Sequence, residues 1–205
     1  MHEHLNIFVR SVFVENMIFA YFLGMCSFLA ISKNVKTALG LGVAVTLVLV
    51  ITVPLCYLLE HYVLRQGALR WLGAAFDDVN ISFLSFILFI AVLAFVVQLL
   101  EMVIERYMPA LYHSLGIFLP LIAVNCAILG ACLFMQQKDF PNAGLAATYG
   151  LGSGIGWLLA IVGMAAIREK LSYSDIPKPL RGLGIAFIIT ALMGFGFMSF
   201  SGIKI

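Results

Sequence analysis

Charge is scarce in this chain. Only 11% of its 205 residues are Asp, Glu, Lys or Arg, while 63% are hydrophobic. A soluble domain carries about 25% charged residues. So few charges cannot cover a water-exposed surface, which excludes a soluble globular enzyme and makes this an integral membrane protein. Its length goes into spans and short loops, leaving no stretch for a soluble catalytic domain. The net charge is +2 with no basic cluster, so nothing suggests a nucleic-acid partner. Met1 to Arg10 lacks the positive start of a signal peptide, and no small-residue cleavage site follows. The first apolar run therefore reads as a permanent span. Four cysteines, all in or beside apolar runs, do not make a disulfide framework. A Ser-His-Asp set, a Walker loop and Cys-x-x-Cys are all missing. The glycines at 150, 152, 154 and 156 fail the dinucleotide spacing, because position 155 is Ile. Small residues four apart (Gly152, Gly156, Ala160) read instead as close helix packing.

What the chain does contain is long apolar runs. A spanning helix needs about 20 mainly apolar residues. Six runs qualify, roughly Ser11–Ser32, Ala38–Leu59, Ile81–Glu105, Ser114–Met135, Leu145–Ile167 and Leu183–Ser201. Alternating polarity is absent, so helices rather than a β-barrel are expected. The longest linkers are Glu60–Asn80 and Arg168–Arg181.

The runs fall into two similar halves. Cys26 is followed by Ser27-Phe28-Leu29-Ala30 and Cys126 by Ala127-Ile128-Leu129-Gly130. Further on, Ala38-Leu39-Gly40-Leu41-Gly42 corresponds to Thr148-Tyr149-Gly150-Leu151-Gly152, whereas the third spans match poorly. A unit of three spans repeated in tandem must be inverted in the membrane. The expected fold is therefore all-α: one membrane domain over 1–205, with six transmembrane helices as two inverted three-helix repeats, about 1–106 and 107–205. Gly24 and Asn125, poor helix formers, flank the thiols. Pro120 removes a backbone donor shortly before Cys126. Spans one and four are expected to break into half-helices. Lys and Arg divide 7 to 5 between the two sides, which puts both termini outside, periplasmic in a Gram-negative cell.

Cys26 and Cys126 are the first candidates for chemistry. A lone membrane cysteine is usually a small buried hydrophobe. Two at equivalent points of an inverted repeat can converge on one point. Zinc and iron–sulfur sites usually take four protein ligands. His2, His4, His61 and His113 lie in tails and loops, Cys132 sits ~240° around the helix from Cys126, and Cys56 has no counterpart. If the pair binds a metal centre, a second polypeptide of the same architecture should supply two more thiolates. Glu15 and Glu101 come next, because carboxylates within spans are rare and often lie on ion pathways. The competing reading is a snorkelling interfacial charge. Gln98 and Glu101 form a short polar stripe, while Glu105 reads as interfacial. Asn16 and Asn125 suit either an ion path or backbone hydrogen bonds.

The residues also carry a family resemblance. It runs nearly end to end through Phe22-Leu23-Gly24-Met25-Cys26, Leu99-Leu100-Glu101-Met102, Gly116-Ile117-Phe118-Leu119-Pro120, Val124-Asn125-Cys126, Gly152-Ser153-Gly154-Ile155-Gly156-Trp157, and Gly196-Phe197-Met198-Ser199-Phe200-Ser201-Gly202. In these the chain resembles the E subunits of sodium-translocating NADH:quinone reductases. The resemblance implies six spans in an inverted repeat, the first and fourth being half-helices. It also implies a bacterial inner-membrane complex with a paralogous D subunit and with A, B, C and F subunits. Cys26 and Cys126 match the positions that give two ligands to an intramembrane [2Fe–2S] cluster, or a single iron, shared with the D subunit. That centre relays electrons from the NADH-oxidising component of the complex to a covalently bound flavin on another component. Glu101 matches an acidic position linked to sodium uptake, whereas a sodium role for Glu15 rests on its residue type alone. No NAD or flavin site is expected on this chain. The rival readings are the A subunit of the Rnf ferredoxin:NAD oxidoreductase and a redox-inactive solute transporter.

Overall fold

A computed structural model describes residues 2–64, 82–107, 119–175, 177 and 180–202. Among these residues every regular element is helical. Helix α1 (His2–Val9) runs into a π-helical turn, Arg10–Val14, after which the chain breaks before α2 (Met25–Ile31). Helix α3 (Val35–Leu59) continues as a second π-turn, Glu60–Leu64. A 3-10 turn, Ser82–Leu84, leads into α4 (Ser85–Tyr107). The short α5 (Leu119–Ala123) is separated by Val124 and Asn125 from α6 (Cys126–Lys138). Helix α7 (Ala143–Leu171) and α8 (Leu183–Met198) complete the chain, with a 3-10 turn at Ser199–Gly202.

Among the described residues, four stretches are long and apolar enough to cross a membrane: Val35–Leu64, Ser85–Tyr107, Leu121–Lys138 and Ala143–Leu171. Helix α8 is shorter, and the first expected span, Ser11–Ser32, is divided between the first π-turn and the seven-residue α2, with α1 lying ahead of it. Both expected breaks are present, at Glu15–Gly24 and at Val124–Asn125. Two linkers start later than expected. Residues 60–64 and 168–171 remain helical, because Glu, Leu, Arg and Lys propagate a helix at little cost.

Glycines set the main contact. A Cβ on Gly42 would lie 2.9 Å from Leu158 Cγ, one on Gly154 2.8 Å from Thr46 Cα, and one on Gly150 2.9 Å from the Leu49 carbonyl oxygen. Numbers rise along α3 as they fall along α7, so these two long helices pack antiparallel with their backbones almost touching. The opposite edge of the same glycine run receives the first π-turn. There a Cβ on Gly156 would lie 2.9 Å from the Val12 carbonyl oxygen. The close packing expected of Gly152 and Gly156 is thus real, and α7 is gripped from two sides. Trp157, Tyr149, Phe28 and Phe89 fill the core around it. Helices α4 and α8 lie at the margin and keep large side chains such as Phe95, Leu192 and Phe195 exposed.

Candidate metal centre at two helix breaks

The first break is built by an asparagine. Asn16 is fully buried, and its Nδ2 donates to the carbonyls of Val12 (3.1 Å) and Gly156 (2.9 Å). Its Oδ1 accepts from the amides of Ile18 (3.0 Å) and Phe19 (3.4 Å). A side chain that supplies both donor and acceptor offers the backbone an alternative to the helical ladder. The chain then turns through Phe22 at φ 56° and Gly24 at φ 82°. That left-handed region is rare for a bulky residue and natural for glycine. Gly24 is also hemmed in: a Cβ there would lie 2.7 Å from Trp157 Nε1 and 2.9 Å from Ala127 Cβ.

Asparagine also makes the second break. Asn125 Oδ1 accepts from the amide of Ala127 at 3.1 Å and so caps α6. Cys126 follows as the first residue of that helix, and Cys26 is the second residue of α2. The two segments meet. The Gly24 amide donates to Cys126 Sγ at 2.9 Å, across 102 positions of sequence. Sequence-distant cysteine loops are therefore brought within one hydrogen bond of each other.

The pair opens outward. Cys26 is exposed and Cys126 half-buried. Around them Phe22 is 63% and Val124 79% exposed. Irregular backbone at membrane depth is tolerated only under a cover of protein or beside a water-filled cavity. The donor set suits iron. Amide hydrogen bonds to cysteine sulfur help set the potential of iron–sulfur centres. Among the described residues no third His, Cys, Asp or Glu joins a metal-binding group. What the chain presents is two cysteines at two adjoining helix breaks, one exposed and one half-buried.

The other two cysteines behave differently. Cys56 of α3 and Cys132 of α6 are buried neighbours. The offset that turns Cys132 away from Cys126 turns it toward Cys56, a partnership the repeat pattern does not reveal.

Glu15 lies at the end of the first π-turn, 9% exposed. One carboxylate oxygen pairs with Arg10 Nε at 2.9 Å and the other with Lys138 Nζ. Lys138 also sits 4.6 Å from the centre of the Tyr149 ring. The triad borders a cavity of about 300 Å³ lined by Asn6, Ile7, Arg10, Glu15, Lys138 and Phe140. Glu101 lies on α4, half-buried, one turn after the exposed Gln98. No hydrogen bond or ion pair joins it to another described residue. The two carboxylates belong to different neighbourhoods, Glu15 with the end of α6 and Glu101 with the last two turns of α4.

Two residues not singled out by the sequence complete the site's frame. Trp157 of α7 backs Gly24. Arg168 of α7 donates through Nη1 to the Leu29 carbonyl (2.9 Å) and to Ser32 Oγ (2.7 Å), at the end of α2. The available signal for Arg168 was a charge set inside an apolar helix end, which counts only as loop charge until the packing is known.

Comparison with known proteins gives the family. The family described as "Rnf-Nqr subunit, membrane protein" matches residues 4–204. The E subunit of the Na(+)-translocating NADH-quinone reductase of Idiomarina loihiensis is 57% identical over 205 residues, covering all of both chains. Its counterpart in Maridesulfovibrio salexigens is 58% identical over 203 residues, 98% of this chain and 99% of its own. That of Proteus mirabilis is 57% identical over the full length of both. A 205-residue chain with two cysteine-bearing helix breaks in contact, matched from residue 4 to residue 204, belongs to the Rnf-Nqr family of membrane proteins.

Proposed function

We propose that this chain is the E subunit of a sodium-translocating NADH:quinone reductase and contributes two ligands to an intramembrane iron centre. The observation that supports the reading is the Gly24–Cys126 hydrogen bond, which joins the segment leading into Cys26 to Cys126 itself, with Cys26 exposed and Cys126 half-buried. Cys26 and Cys126 would hold the centre, a [2Fe–2S] cluster or a single iron. A paralogous D subunit would supply the other two thiolates, within an assembly that includes the A, B, C and F subunits. When bound, the centre supplies a one-electron redox station inside the bilayer. The chain's own residues set its surroundings. The Gly24 amide stabilises negative charge on the Cys126 sulfur, and Trp157 and Ala127 exclude water from beneath Gly24. The family also includes Rnf proteins, but full-length identity to E subunits favours the reductase.

The same proposal takes the chain as six spans in two inverted repeats in the bacterial inner membrane, with both termini periplasmic. Antiparallel packing of α3 and α7 across their glycines supports that topology. Glu101 serves the sodium pathway, as a carboxylate on α4 that no described residue pairs. A sodium role for Glu15 requires Lys138 to leave it, because both of its oxygens face cations.

The test is Cys26→Ala and Cys126→Ala, made singly in the whole complex. Each is expected to remove the iron of the membrane centre and to block reduction of the flavin beyond it. Normal NADH-to-quinone turnover with full iron content in either variant would sink the reading.

A further inference from the structure

The half-helix that carries Cys26 is short. Helix α2 has seven residues, and isolated helices below about 12–15 residues are marginal. Its last carbonyls need partners. The Phe28 carbonyl accepts from the Ser32 amide at 3.3 Å and the Ile31 carbonyl from the Lys33 amide at 2.8 Å. The Leu29 carbonyl accepts from Arg168 Nη1, which also reaches Ser32 Oγ. A cation at a helix C-terminus is favoured by the helix dipole as well. Leu29 lies three residues after Cys26, about 4.5 Å along the axis. Among the described residues, these are the hydrogen bonds that tie the end of α2 to another helix.

Helix α7 touches the broken first span at three heights. The Gly156 carbonyl accepts from Asn16 at the start of the break, Trp157 backs Gly24 at its end, and Arg168 holds α2 after it. We infer that Arg168 is the positioning residue for Cys26, fixing the half-helix against α7 so that the exposed thiol stays registered with Cys126. The inference rests on the proposed iron centre. Arg168 touches neither the thiols nor the metal. It acts through the Leu29 carbonyl and Ser32.

The experiment uses the purified complex carrying Arg168→Met, Arg168→Lys or Ser32→Ala, with iron content and the electron paramagnetic resonance spectrum and midpoint potential of the membrane centre as readouts. Arg168→Met should lose iron, or keep it with an altered line shape and a shifted potential. Both bonds come from one nitrogen, so a lysine ammonium can replace them, and Arg168→Lys should restore the parent spectrum. Ser32→Ala removes one of the two acceptors and should give an intermediate spectrum. Full iron with an unchanged spectrum and potential in Arg168→Met overturns the inference. If Arg168→Met does not assemble, parent spectra in Ser32→Ala together with an altered one in Arg168→Lys overturn it. A wild-type signal that survives Cys26→Ala overturns the iron assignment itself, and this inference with it.

Discussion

Replacing Gly24 by alanine tests the contact on which the two breaks converge. Gly24 is at φ 82°, a conformation that costs an L-residue about 1–2 kcal/mol. The added methyl would lie 2.7 Å from Trp157 Nε1 and 2.9 Å from Ala127 Cβ. Neither neighbour yields cheaply: Trp157 and Ala127 are both fully buried. Overpacking of this kind costs about 1–3 kcal/mol. Alanine recovers about 0.4–1 kcal/mol through the less flexible unfolded chain. The net loss is about 1–5 kcal/mol, and the melting temperature of the purified complex should fall accordingly. Iron should be lost in parallel, because the Gly24 amide is the donor to Cys126. Trp157→Phe removes the nearer of the two clashing atoms. In that background Gly24→Ala should cost less, with a coupling of about 1 kcal/mol. A Gly24→Ala complex that melts with the parent and keeps its iron would refute the contact.

Two further outcomes are expected. Lys138→Met leaves the buried Glu15 with Arg10 alone. Breaking a fully buried pair costs about 3–5 kcal/mol, but the Lys138 side chain is 30% exposed, so solvent trims the loss to about 1–2 kcal/mol. Adding Glu15→Gln should then cost less than the sum of the single changes, and strict additivity in thermal melts would dismiss the triad. Glu101→Leu should weaken the sodium dependence of turnover at the cytoplasmic side, and an unchanged sodium titration would count against its place on the ion path.

The parts of this fold visible in sequence are those written in local chemistry. Apolar runs mark the long helices, and Gly24 and Asn125 beside the thiols mark the two breaks. The similar residues after Cys26 and Cys126 single the two segments out, and the structure brings the first against the second through the Gly24 amide and Cys126 Sγ. What stays hidden depends on which faces of apolar helices touch. Helices α3 and α6 carry apolar residues on most sides, so no periodicity reveals that Cys56 faces Cys132. The Glu15–Lys138 pair joins positions 123 residues apart and needs the first π-turn to bend toward α6. That turn is itself set by Asn16, whose two-sided hydrogen bonding is legible only once Gly156 is known to be adjacent. Arg168 looks like one more positive-inside residue until the end of α2 arrives beside it.

The glycine contact between α3 and α7 also bears on which parts of the chain can move. Backbones this close leave no side-chain layer to slide or compress. The two cysteine-bearing breaks are mounted on that joint through Asn16, Trp157 and Arg168, so they share its rigidity. Rearrangement within the chain then falls to the margin, α4 and α8, whose outward faces are exposed.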